Sequence, residues 1–214
     1  MTGAMERRQP SRTRRRLASR RALIGLGLGG VAASLTAACG RLEQSAADQA
    51  RAGDRKGYVS GDGAIEQIPP DRRGAGVGLA GTTLEGKAWN ITDVAGTVLV
   101  LNVWGSWCPP CITEAADLQK AWQQVQQRKP DVAFLGLDKM ETAATGLAFQ
   151  RQHAITYPSL AYDGGVPILS LQGKAVATPT TLVLDRSHRV AARVSGPVTT
   201  TILLGLIDDT LAET

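Results

Sequence analysis

Residues 97–113 read TVLVLNVWGSWCPPCIT, an apolar run followed at once by two cysteines with two prolines between them. The run at 97–105 is rich in valine and leucine, which is typical of a strand buried on both faces. Over residues 109–128, apolar side chains recur mostly every three or four positions, which predicts an amphipathic helix. The cysteine pair is therefore expected where a central strand ends and a helix begins.

The segments around this strand and helix predict an α/β domain with a central mixed sheet flanked by helices. A second apolar run at 132–137 completes a βαβ unit, so its strand is expected to lie parallel to the first. A β-hairpin is expected within 78–96, turning at Glu85-Gly86-Lys87. Further predicted elements are a helix at 141–153, strands at 180–185 and 189–194, and a closing helix at 199–213.

The basic charge of the chain is confined to its first segment. The 214 residues carry a formal net charge of +5, but residues 1–38 alone hold eight arginines and a single acidic residue. The remaining residues have a small acidic excess and so offer no basic surface for nucleic acid. Nucleic acid is therefore not an expected partner.

Residues 1–38 have the organisation of an export signal, in which an arginine-rich stretch precedes an apolar run at 22–38. Within it, SRRALIG at 19–25 resembles the twin-arginine export motif, with Leu23 in place of the usual phenylalanine. The apolar run has 17 residues, at the lower limit for spanning a bilayer. A retained membrane anchor is therefore the alternative to a cleaved signal.

The end of this segment, SLTAAC at 34–39, resembles a bacterial lipoprotein box, whose cysteine is diacylated and becomes the new N-terminus. Leu35 lies four residues before Cys39, one more than is usual. Acyl chains on Cys39 would anchor the protein to the outer face of the cell membrane, since each buried methylene contributes about 0.8 kcal/mol. Residues 39–78 are polar and glycine-rich, which predicts a flexible tether before a folded domain at 79–214.

Lipidation of Cys39 would leave Cys108 and Cys111 as one pair. At a helix N-terminus, free backbone N–H groups and the helix dipole lower a thiol pKa from about 8.5 to roughly 3.5–7.5. Cys108 is thus the expected attacking thiolate, and Cys111, one turn further and more buried, is expected to close the disulfide afterwards. Pro109 and Pro110 fall within the first helical turn, where a missing N–H costs no helical hydrogen bond.

Two other uses of the cysteine pair fit the sequence less well. A zinc site needs four ligands, and the chain has no second C-x-x-C pair, while His153 and His188 are isolated. No metal is therefore expected. A purely structural disulfide would close a very short loop and constrain the unfolded chain little. Redox chemistry without a further cofactor is the favoured interpretation.

The stretch NVWGSWCPPC at 102–111 resembles the NFWASWCPPC core of the TlpA/ResA class of extracytoplasmic thioredoxin-like proteins. The similarity continues from 79–104 through VATPTTLVLD at 176–185 to the final helix. The resemblance implies a thioredoxin-like fold with an N-terminal β-hairpin extension. It also implies thiol–disulfide oxidoreductase activity.

The resemblance further implies a cis-proline at Pro179 that faces the active site. Such a bond would expose the backbone of Thr178 for pairing with an extended substrate peptide; the alternative is a trans proline that starts an edge strand. The resemblance also places Trp107 on the partner-facing surface and Trp104 in the core. The expected substrate-binding residues are Trp107, Pro109, Pro110 and Thr178.

Glu114 matches the glutamate that follows the second cysteine by three residues in this class. Cytoplasmic-type thioredoxins instead carry a buried aspartate at the position of Asn102, and that aspartate helps to move the proton of the second thiol. Because asparagine cannot titrate, Glu114 is the candidate proton relay. A glutamate that merely favours the helix dipole is the alternative.

These features predict a membrane-tethered lipoprotein that reduces disulfides of exported proteins. The resemblance suggests apocytochrome c as a client and a membrane thiol carrier as the electron donor. An oxidant that installs disulfides is the alternative, because a C-x-x-C pair can run in either direction; the lack of histidine between the cysteines favours a reductant. Two further alternatives fit the sequence less well. A copper chaperone usually needs C-x-x-x-C spacing, which differs from the spacing here. A thiol peroxidase usually needs a lone cysteine preceded by threonine, which the predicted domain at 79–214 lacks.

Overall fold

The computed structural model describes residues 65–213, so the predicted export signal and Cys39 lie outside the described residues. The strands are β1 (Ile65–Gln67), β2 (Ala80–Thr82), β3 (Ala88–Asn90), β4 (Val98–Trp104), β5 (Val132–Asp138), β6 (Ser159–Leu160), β7 (Thr180–Leu184) and β8 (Val190–Ser195). The α-helices are α1 (Pro109–Arg128), α2 (Ala143–Gln152), α3 (Val166–Leu169) and α4 (Thr200–Ala212), and 3-10 helices span Pro70–Arg72 and Ile91–Val94. None of the helices within residues 65–213 combines the length and apolarity needed to cross a membrane.

Six strands form one mixed sheet in the order β1-β8-β7-β4-β5-β6. The strands β4, β5 and β6 run parallel, whereas β7 is antiparallel to β4, and β8 is antiparallel to both β7 and β1. The strands β2 and β3 form a separate hairpin, which confirms the predicted extension. The predicted α/β class and the parallel pairing across the βαβ unit are likewise confirmed.

Alternate side chains of the central strands supply two separate cores. Val98 and Val100 point to the face covered by α1 and α4, where Leu118 and Leu203 are buried. Leu99 and Leu101 point to the opposite face, which is covered by shorter segments that include Leu171. All seven residues of β4 are buried for this reason, and the strand holds the residues that follow it in a fixed place.

Residues 65–78 belong to the folded domain, so the predicted tether is wrong for this part of the chain. The strand β1 pairs with β8, and Val77 lies in the core with 6% of its surface exposed. The Arg73 side chain, 3% exposed, forms an ion pair with Asp185 at 3.0 Å. Strand pairing and a buried ion pair stabilise this segment. Neither requires a continuous apolar run, so the sequence of the segment gives no sign that it is folded. Residues 39–64 lie outside the described residues.

Candidate active site

Three loops meet at one end of the sheet, and strand pairing brings them there. Val103 near the end of β4 pairs with Thr180 at the start of β7, and Trp104 pairs with Asp138 at the end of β5. The cysteine loop (residues 105–108) therefore lies between two neighbours. These are the cis-proline loop (residues 177–179) and the loop that follows β5 (residues 139–142, the post-β5 loop).

Cys108 and Cys111 form a disulfide, with their Cα atoms 5.3 Å apart. Cys108 is the N-cap residue of α1, and its Sγ accepts a hydrogen bond from the backbone N–H of Cys111 at 3.3 Å. In the reduced protein the same N–H group and the helix dipole favour a thiolate on Cys108. In the disulfide the two residues are almost equally buried, 3% and 2% exposed, so the helix position rather than burial distinguishes them.

Trp107 forms the exposed wall of the cysteine loop. Half of its surface is exposed, whereas Trp104 is 3% exposed and stacks on Phe149 with ring centroids 4.8 Å apart. The Trp107 indole folds back over Gly105, where a Cβ atom would lie 2.6 Å from Nε1. Only glycine fits beneath the indole, so Gly105 is required for the position of Trp107. The predicted surface place of Trp107 and core place of Trp104 both agree with the structure.

The Thr178–Pro179 peptide bond is cis, as the resemblance implied. Pro179 is buried and Thr178 is half-buried at the start of β7, next to the cysteine loop. Between the two cysteines, Pro109 is exposed and Pro110 is half-buried in the first turn of α1. The predicted substrate-binding residues thus lie on segments that surround the cysteine pair.

Glu114 is a buried carboxyl group, 1% exposed. Its Oε1 accepts from the Asn102 side-chain amide at 2.9 Å, and its Oε2 accepts from the backbone N–H of Val198 at 2.9 Å. Burial raises the pKa of Glu114 to about 7, although these two hydrogen bonds oppose the rise. A carboxyl group that titrates near neutral pH, one helical turn after Cys111, is suited to holding a proton. Asn102, which cannot titrate, instead orients Glu114.

We expect Glu114→Gln to remove an inflection near pH 7 from the rate of disulfide reduction by dithiothreitol. An amide offers one oxygen to the two donors from Asn102 and Val198, so unfolding should also become easier by about 1–3 kcal/mol. Asp117→Asn is the control, because that carboxyl lies on the same helix but has its pKa lowered by hydrogen bonds from Thr200. An unchanged inflection in Glu114→Gln would rule out the relay role.

The post-β5 loop contributes residues that the sequence did not single out. Both carboxylate oxygens of Glu141 accept from Ser106, one from its backbone N–H at 2.8 Å and the other from its hydroxyl. The backbone carbonyl of Lys139 accepts from the Trp107 indole N–H at 2.8 Å. The Lys139 side-chain ammonium donates to the Thr178 hydroxyl at 3.0 Å. Polar residues directly after a buried strand are a sequence signal for a site at this edge, but the predicted helix at 141–153 includes Glu141.

Asp138, at the end of β5, is a second buried carboxyl group near the site. It is 2% exposed, and neither of its oxygens has a hydrogen-bond partner among residues 65–213. Burial raises the pKa of Asp138 to about 8; Glu141 adds to the rise, and the backbone of Lys139 partly opposes it. The raised pKa favours the protonated form of Asp138 at neutral pH.

A groove of about 240 Å³ opens beside the cysteine pair. Its walls include Ser106 from the cysteine loop, Ile112 from α1, and Phe149 and His153 from the end of α2. Ile112 is 43% exposed and directly follows Cys111. Within residues 65–213 no cluster of three or more histidine, cysteine or acidic residues is arranged to hold a metal ion.

The fold and the bridged cysteine pair define a thioredoxin-like domain of the thiol–disulfide oxidoreductase class. Residues 77–193 match the AhpC/TSA family, and the chain belongs to that family. A thiol-disulfide oxidoreductase, ResA, of Bacillus thuringiensis is 28% identical over 118 residues, which cover 55% of this chain and 66% of ResA. The thiol:disulfide interchange protein HelX of Rhodobacter capsulatus is 27% identical over 119 residues, which cover 56% of this chain and 64% of HelX. The chain thus spans just under two thirds of the length of these relatives.

Two solved structures share the architecture of the described domain. A secreted thiol-disulfide isomerase from Corynebacterium glutamicum is 30% identical with a TM-score of 0.62, over 71% of this chain and 97% of that one. A DsbF homologue from Corynebacterium diphtheriae is 26% identical with a TM-score of 0.60, over 71% of this chain and 96% of that one. The predicted resemblance to ResA-type proteins and the thioredoxin-like fold are confirmed.

Proposed function

We propose that the protein is a membrane-tethered thiol–disulfide oxidoreductase that reduces disulfides in exported proteins, as in the maturation of cytochromes c. The observation that carries the proposal is the Cys108–Cys111 disulfide at the N-terminus of α1, beside the cis-proline loop. The ResA and HelX relatives support it, since their names describe the same exchange chemistry. The client and the electron donor, a membrane thiol carrier, are part of the proposal.

The proposed reaction moves two electrons from the protein to the client. The Cys108 thiolate attacks one sulfur of the client disulfide, so that a Cys108–client bond forms and the other client sulfur leaves as a thiolate. Cys111, deprotonated with Glu114 as the proton acceptor, then attacks Cys108. This step forms the Cys108–Cys111 disulfide and releases the second client thiolate. Trp107, Pro109, Pro110 and Thr178 form the surface that meets the client.

The tether and the lipid anchor rest on the sequence. We propose that Cys39 is diacylated and becomes the new N-terminus when residues 1–38 are removed, and that the segment from Cys39 to β1 links the domain to the outer face of the membrane. The folded domain extends at least to Ile65, which shortens the proposed linker to residues 39–64. A linker of 26 residues with this polar composition would still let the domain move over the membrane surface.

The reduction potential of Cys108–Cys111 tests the direction of electron flow. We expect a value near or below about −230 mV for the full chain equilibrated against glutathione and dithiothreitol buffers, because a reductant needs a stable disulfide form. A value between about −120 and −180 mV would favour the oxidant instead. The absence of a reversible two-electron couple would exclude both, and copper titration of the reduced protein would then test the metal-binding alternative.

A further inference from the structure

Lys139, in the post-β5 loop, contacts both the cysteine loop and the cis-proline loop. Its backbone carbonyl accepts from the Trp107 indole at 2.8 Å on the side of the cysteine loop. Its side-chain ammonium donates to the Thr178 hydroxyl at 3.0 Å, directly before the cis-proline. Lys139 is half-buried, so part of its side chain is shielded from water between these contacts. One residue thus contacts both sides of the site.

The cysteine loop is held to the post-β5 loop without the Lys139 side chain. Trp107 bonds to the backbone of Lys139, and Ser106 bonds to the Glu141 carboxylate through its N–H and its hydroxyl. The contact between Lys139 and Thr178, by contrast, depends on the ammonium group. A substitution at Lys139 should therefore release the Thr178 hydroxyl of the cis-proline loop from the post-β5 loop and leave the cysteine loop attached.

We propose that Lys139 is a positioning residue for clients that bind as extended peptides. It holds the cis-proline loop at a fixed separation from the cysteine loop, so that a peptide paired with the backbone of Thr178 presents its sulfur to Cys108. The inference rests on the proposed exchange function. A small disulfide that makes no backbone pairing needs no such separation, and its reaction is independent of Lys139.

The test compares two probes. One is a short extended peptide with a single cysteine, and the other is 2-mercaptoethanol. In each probe the thiol is joined to nitrothiobenzoate, the leaving group, by a disulfide bond. In both, the Cys108 thiolate of the reduced full chain breaks the probe S–S bond, forms a Cys108 mixed disulfide and releases coloured nitrothiobenzoate thiolate. We expect Lys139→Met to slow the peptide reaction about five- to tenfold and the small probe less than about twofold, and Thr178→Val to slow the peptide reaction to a similar extent. Lys139→Arg should retain most of the rate, because it keeps a cationic donor.

The double variant decides whether Lys139 acts through Thr178. If it does, Lys139→Met combined with Thr178→Val should be no slower with the peptide than either single variant. Additive losses of the peptide reaction rate in the double variant would overturn the positioning role. Equal slowing with both probes would also overturn it, because a change in Cys108 reactivity affects every disulfide alike. A wild-type chain that releases nitrothiobenzoate from neither probe would instead contradict the proposed function itself.

Discussion

Cys111→Ser is expected to trap client proteins on Cys108 as stable mixed disulfides. Without the second thiol the intermediate has no internal nucleophile, so its decay depends on external thiols. Release of the client should slow by at least about a hundredfold, whereas formation of the mixed disulfide continues. The trapped species is measured by mass spectrometry or by non-reducing electrophoresis of the reduced variant mixed with an oxidised client.

Cys108→Ser is the matched control for this trap. A serine hydroxyl at the N-cap position preserves the cap geometry of α1 but cannot form a disulfide, so no client should accumulate. Both variants remove the same S–S bond and lose its stabilisation equally. Trapping on Cys111 in Cys108→Ser, at the rate seen in Cys111→Ser, would show that the helix N-terminus does not select the attacking sulfur.

Asp138→Asn is expected to make the stability of the oxidised protein much less dependent on pH. The pKa of Asp138 is raised from 3.8 to about 8 by burial in the folded state. The folded protein therefore keeps a proton that the unfolded chain loses above about pH 4. The stabilisation from this proton is complete below about pH 4 and is lost as the pH rises to about 8, at about 1.4 kcal/mol per pH unit.

Chemical unfolding at a series of pH values between 4 and 9 measures this effect. Above about pH 8 the asparagine variant should be more stable than the wild type by a few kcal/mol, because it buries no charge. In both proteins the free energy of unfolding should also fall with pH up to about pH 7 because of Glu114, since its pKa is raised as well. Asp163→Asn, at an exposed carboxylate, should leave the wild-type curve unchanged. Parallel curves for the wild type and Asp138→Asn would contradict a buried, protonated Asp138.

The two buried carboxyl groups near the redox pair have different surroundings. Glu114 is held by Asn102 and Val198 and is suited to exchanging a proton while staying in place. Asp138 has no partner among the described residues, and a charge there would stand next to Glu141, which holds Ser106. Ionisation of Asp138 is thus expected to disturb the cysteine loop through repulsion of the Glu141 carboxylate.

The sequence by itself determined the central strand, the helix that starts at Pro109 and the redox pair between them. Each depends on a local pattern: a continuous apolar run, a helical repeat, or a spaced pair of cysteines. Such patterns can be recognised without knowledge of distant residues. The place of Glu114 one turn after Cys111 is also evident from the spacing along the chain. The cis-proline became predictable only through resemblance to related proteins.

The tertiary structure alone decided the contacts between loops. Lys139 and Thr178 are 39 positions apart, and Arg73 and Asp185 are 112 apart. Each pair meets because strands bring distant segments to one place, and no periodic pattern in either segment encodes the partner. The same reason explains why the sequence of residues 65–78 predicts a tether: an edge strand and a buried ion pair form only with partners from the rest of the chain.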